Sequence, residues 1–178
     1  VSQLVTRLGR IQVSHSANAA FTGSLSSMTS RRSRPRSIAT GRAAAGMASL
    51  ASLDLTAVKR KVVDEKGWSE KIADYAELRY RRFLCMHLIN PRLMLVPPPD
   101  IDAFWHQHIL FTREYARDCE RLFGGFLHHS PASGDADEAV AMQQGALDTA
   151  RFYADAFGEH YFAAEPEGLA SNWLELFG

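Results

Sequence analysis

Nitrogen and sulfur donors crowd a short part of this chain. The stretch AFWHQHILF, residues 103–111, carries His106 and His108; Cys119 follows, and His128 and His129 stand side by side in GGFLHH. Imidazole and thiolate are the donors that zinc takes in tetrahedral sites, so His106, His108, Cys119, His128 and His129 form a candidate metal-ligand set. The sulfur donor favours zinc over iron. Asp102, four residues before His106, shares its helix face and is placed as a supporting carboxylate for that imidazole's second nitrogen. The spacing matches neither HExxH nor a pair of CxxC motifs.

Helix geometry constrains this set. At ~100° per residue His106 and His108 project ~200° apart, so both cannot ligate one ion from a regular helix. His108 and Cys119 share a phase, but on one straight helix about 16.5 Å would separate them. A common site therefore requires a turn, and Thr112 is where the sequence allows it. One histidine then meets Cys119 and the LHH loop: His108 if the chain bends little, His106 if it bends sharply. The competing reading is a non-catalytic protein-interaction module, in which these side chains only fix the packing of two angled helices. A third reading makes Cys119 a nucleophile. Arg117 and Arg121 point elsewhere on a helix, however, and Asp118 and Glu120 disfavour the thiolate. Cys85 and His87 in FLCMHL read as packing residues, and Phe104, Trp105, Ile109 and Leu110 as core.

The elements that must position these groups are helical. In DLTAVKRKVVDEKG, Leu55, Val58 and Val62 recur at helical spacing and Gly67 is a stop. Ser69 caps a longer helix through Asn90-Pro91, with Ile72, Ala76 and Phe83 on one face. PRLMLVPPPD follows; Pro97 to Pro99 force an extended segment, expected as an apolar strap across the helices. Asp100 or Asp102 opens the next helix, Thr112 caps REYARDCERLF, and Gly124-Gly125 ends it. Asp135 with Glu138 resembles a capping box for a helix ending at Gly158, with Val140, Leu147, Ala150 and Phe157 near one stripe. Trp173 and Leu176 are expected to dock back on the bundle. The fold class expected is all-α: a compact bundle of about five helices with a Pro-rich strap over residues 54–178.

Composition agrees with a packed domain, at 46% hydrophobic and 22% charged residues. The zero net charge hides an asymmetry. Residues 1–53 carry seven arginines and 11 serines with no acid, leaving 13 basic residues against 20 acidic ones beyond. That acidic remainder is a poor nucleic-acid binder, and no apolar run is long enough to span a membrane. The first 53 residues read as a disordered basic segment, either an organellar (chloroplast or mitochondrial) transit peptide or an over-extended start. In the second case MASLASLDL from Met47 begins the protein, which is then cytoplasmic. A basic nucleic-acid-binding tail is the functional rival for this segment. Two cysteines give no disulfide framework beyond one conceivable bridge.

PPPDIDAFWHQHILFTREYARDCERLFGGFLHH resembles the signature of the glycine-rich domain-containing protein-like family of plants and bacteria. The pattern covers Pro97 to Asp102, Trp105, His106, His108, Leu110, Tyr115, Asp118, Cys119, Phe123 and Gly124. RYRRFLCMHL upstream and FYADAFGEH downstream extend the resemblance over about residues 55–175, and FLHHSP resembles the bacterial-type branch. The resemblance implies a protein linked in plants to growth, hormone and stress responses, without a settled biochemical activity. Gly-rich tails and RNA-binding modules of the plant members do not carry over, because none of the 12 glycines here forms a tract. What does carry over is the joint recurrence of tryptophan, two histidines, aspartate and cysteine, which implies a metal or other polar site.

Overall fold

The computed structural model describes residues 38–129 and 136–162, and these form an all-α bundle. Its helices are α1 (Ile38–Ser49), α2 (Thr56–Lys66), α3 (Glu70–Ile89), α4 (Pro99–Leu110), α5 (Thr112–Phe123) and α6 (Ala136–Phe157). Among the described residues there is no strand, and no helix is long and apolar enough to cross a membrane. Helix α3 is the axis. It packs on α1, α2 and α4, while α6 lies on α1 and α5 on α4.

Local chemistry sets most boundaries. The Ser69 hydroxyl accepts the Ile72 N–H at the start of α3. Gly67, Gly124 and Gly158 end α2, α5 and α6 at positive φ, the conformation glycine adopts at least cost. The break between α4 and α5 falls at Phe111, one residue earlier than the expected Thr112 cap, and no side chain caps α5 there. The face of α3 expected to be apolar is buried at Ile72, Ala76 and Phe83.

The strap is present, and it is pinned from both sides. Val96 donates its N–H to Thr149 Oγ1 (3.1 Å) and its carbonyl accepts from Tyr161 Oη (3.0 Å). A Cβ on Gly145 of α6 would lie 2.6 Å from the Met94 methyl, so the strap crosses α6 where the side chain is missing.

Three expectations need correction. The basic segment taken to run through residue 53 stops short of that point: α1 belongs to the bundle, with Ala43, Leu50 and Leu53 buried. Arg81 reaches back from α3 to the carbonyls of Leu50 and Leu53, and Arg42 bonds the Ile89 carbonyl. Residues 1–37, which carry most of the basic composition behind the transit-peptide alternative, lie outside the described residues, as do Asp135, Trp173 and Leu176; Met47, the start in the cytoplasmic alternative, lies within α1. Second, the buried stripe of α6 is Ala146, Thr149, Tyr153 and Ala156; Val140 and Leu147 face outward. Ala146, Thr149 and Ala156 flank Tyr153 on that face and carry little hydropathy, so the more apolar Val140 and Leu147 point the wrong way. Third, Leu110 is exposed although Phe104 and Trp105 are core. Both cysteines are free thiols.

A buried ion pair ties the layers together. Arg79 of α3 makes a two-pronged contact to Asp100 in the first turn of α4 (2.5 and 3.3 Å) and donates to the Tyr161 carbonyl (2.9 Å). Both partners are removed from water. Arg79→Met leaves a buried carboxylate unpaired and is expected to destabilise the fold by about 3–5 kcal/mol. Arg79→Met with Asp100→Leu should cost less than Arg79→Met alone; urea unfolding of both variants reads the difference.

Close packing of α1 on α3 gives a second prediction. A Cβ at Gly46 would lie 2.6 Å from Cys85 Sγ and 3.1 Å from Ile89 Cγ2. Gly46→Val should destabilise by about 1–3 kcal/mol through overpacking. Adding Cys85→Ala should offset part of that loss, a coupling that a double-mutant cycle detects. Strict additivity would show that α1 does not press on α3 at this point.

Candidate functional site

Helix α4 presents two chemically different faces. Pro98 and Pro99 fix the backbone entering it, and Asp100 and Asp102 occupy its first turn, where the helix dipole favours negative charge. From there the ~200° between His106 and His108 sends one outward and the other into the core.

The outward face brings three donors together. His129, from the loop after α5, approaches Asp102 Oδ1 through Nε2 at 2.7 Å. His106 approaches the other carboxylate oxygen, Oδ2, through Nδ1 at 3.4 Å. The two imidazole rings lie 4.4 Å apart at their centroids. One ligand atom from each of Asp102, His106 and His129 falls within 4.8 Å of the others. Side-chain exposure grades from 14% at His129 through 34% at Asp102 to 54% at His106, so the cluster is anchored on one side and wet on the other.

The inward face carries a separate polar network. His108 is buried, and its Nδ1 lies 2.9 Å from Tyr80 Oη. Burial pushes the Tyr80 hydroxyl well above its ordinary range and pushes the His108 imidazole down, so both are neutral near pH 7. If Tyr80 donates to Nδ1, the single imidazole proton sits on Nε2, aimed at Asp118 Oδ2. That oxygen is 3.6 Å away, beyond hydrogen-bond distance, and Nε2 has no closer partner. Asp118 in turn is 3.5 Å from Arg121. Cys119 is buried beside Tyr115, where a substrate cannot reach the thiol.

The five residues expected from the sequence therefore do not converge on one point. His106 and His129 come together around the Asp102 carboxylate, each presenting a ring nitrogen to one of its oxygens. His108 and Cys119 belong to the buried side. His128 is exposed, its ring against Phe126 at 4.9 Å. Sequence alone could not choose between adjacent His128 and His129, since a loop has no fixed phase. The i,i+4 relation of Asp102 and His106 was the available signal for a shared cluster.

Other contacts in this region join residues distant in sequence. Trp105 Nε1 donates to Tyr115 Oη (2.8 Å), and Tyr115 Oη donates to the Leu127 carbonyl (2.6 Å). Gln107 donates to Glu65 (2.7 Å), joining α4 to α2. Cys85 and His87 are packing residues, as expected. His87 lies among the rings of Phe83, Trp105 and Phe123, with its buried Nε2 unpartnered.

Fold and site together describe an all-α domain with an Asp/His/His cluster at the end of a helical hairpin. The chain belongs to the UCP032817-like family, which it matches over residues 55–153. It is 30% identical over 93 residues to glycine-rich domain-containing protein 2 of Arabidopsis thaliana. That alignment covers 50% of this chain and only 12% of the plant protein. No solved structure matches the chain.

Burial of His87 has a consequence for stability. Desolvation among aromatic rings lowers its pKa from 6.5 to about 4. Between those values the unfolded chain binds a proton that the folded one does not, so stability is complete above pH 6.5 and falls as pH drops towards 4. Going from pH 7 to pH 5 should cost about 1–2 kcal/mol through this group. Urea unfolding at the two pH values should show that loss, and His87→Leu should shrink it.

Proposed function

We propose that this domain binds a divalent transition-metal ion, zinc in the first instance, through Asp102, His106 and His129. The observation that supports this most directly is the approach of three donor atoms, from α4 and the loop after α5, to within 4.8 Å of one another. Ligands of one zinc ion at about 2.0–2.2 Å cannot be more than about 4.4 Å apart, a contraction that side-chain rotation can supply. Two imidazoles and one carboxylate make a set that both zinc and iron accept. Cys119 lies outside this cluster, so sulfur no longer decides between the metals.

An ion held here would clasp the loop carrying His129 to α4. Three protein donors and a solvent-facing flank would also leave a position for water or a small oxygen-donor ligand, as in catalytic rather than closed structural sites. Without an ion, His129 is still tied to α4 by its hydrogen bond to Asp102, the packing role that the interaction-module reading gives it.

Calorimetric titration of the chelator-treated full chain with Zn²⁺ tests the proposal. We expect about one equivalent bound. Asp102→Ala, His106→Ala and His129→Ala should each weaken binding beyond the roughly 10–100-fold typical of outer-shell changes. Cys119→Ala and His128→Ala should leave it intact. Uptake that survives in all three ligand variants, or none in the wild type, overturns the assignment.

A further inference from the structure

We propose that Trp105 and Tyr115 are positioning residues for His129, so that the affinity of the Asp102/His106/His129 site is set by a hydrogen-bond relay that does not touch the ion. This rests on the metal reading of that site. Three observations carry it.

His129 lies on a loop, and a loop ligand contributes to affinity only insofar as its backbone is already in place. Here the loop is held two residues upstream. Tyr115 Oη, on α5, donates to the Leu127 carbonyl at 2.6 Å. The same oxygen accepts from Trp105 Nε1 at 2.8 Å, so its lone pair and its proton are both directed. Tyr115 and Trp105 are both buried, and the bond between them lies away from water, which makes the relay costly to break.

The indole also touches the ligand itself. The His129 ring stands edge-on to Trp105, centroids 4.6 Å apart at 72°. Trp105 immediately precedes His106 and follows Asp102 by three positions. One side chain of α4 thus orients the loop ligand relative to the two helix ligands. The indole also packs against Phe83 and His87, with ring centroids 5.3 and 6.2 Å away.

Zn²⁺ titration of four full-length proteins tests the inference. Tyr115→Phe keeps the ring and removes the hydroxyl, leaving the Leu127 carbonyl and the indole N–H without their partner. We expect Kd to rise about 10–100-fold, the usual cost of an outer-shell loss. Trp105→Phe leaves the Tyr115 to Leu127 bond in place but removes its donor and the indole wall; it too should weaken binding, and it keeps the test alive if Tyr115→Phe does not fold. Tyr161→Phe is the control, because it deletes a comparable buried bond, Tyr161 Oη to the Val96 carbonyl, at the strap. It should lower the melting temperature but leave Kd unchanged.

Equal weakening in Tyr161→Phe and Tyr115→Phe would assign the effect to general destabilisation and overturn the inference. Unchanged Kd in both relay variants would overturn it while leaving the metal site standing. Absence of Zn²⁺ uptake by the wild type would remove the metal reading, and this inference with it.

Discussion

Arg79 and Asp100 meet where the axial helix α3 passes under the first turn of α4, and both have left water to do so. An isolated charge at either position would be far too costly to bury, so neither side chain is tolerable without the other. The pair therefore fixes one relative placement of α3 and α4. By also donating to the Tyr161 carbonyl, Arg79 brings the segment after α6 to the same point. The rotation of α4 about its own axis follows from that anchor. With Asp100 turned inward, Asp102 is directed towards the rim and His106 beyond it, while His108 comes round to the core.

Two consequences share that one rotation. The outward face gathers ligand-type donors around a half-exposed carboxylate. The inward face spends its imidazole on Tyr80 and the approach to Asp118. Trp105 lies between the two, buried yet in contact with His129. The break at Phe111 then returns the chain as α5, bringing Tyr115 under the loop that it holds.

Much of this was legible in the sequence, for local reasons. Ser69, Gly67 and Gly124 announce their caps, the prolines announce the strap, and Ile72, Ala76 and Phe83 announce the buried face of α3. What was not legible depends on pairings between distant residues. The Arg79–Asp100 pair looks from sequence like two surface charges. Helix α1 hides because its contacts are made by Ala43 and Gly46, whose burial leaves almost no hydropathic trace. The inner face of α6 hides behind Val140 and Leu147, which are more apolar than Thr149 but turned away from the core. At the candidate site, phase alone separated His106 from His108. It could not say which of them the loop would reach.

The strap also shows how an apolar extended segment can be kept from open backbone pairing. Its RLMLV segment is short, apolar and rich in residues that favour extended pairing, the kind of stretch that templates intermolecular β-structure when its backbone is free. In the folded chain both backbone groups of Val96 are occupied, the N–H by Thr149 and the carbonyl by Tyr161. Two side chains from elsewhere in the bundle thus take the place of a neighbouring strand. The segment is denied an open edge at its most buried residue, a form of protection usually supplied by charge or proline.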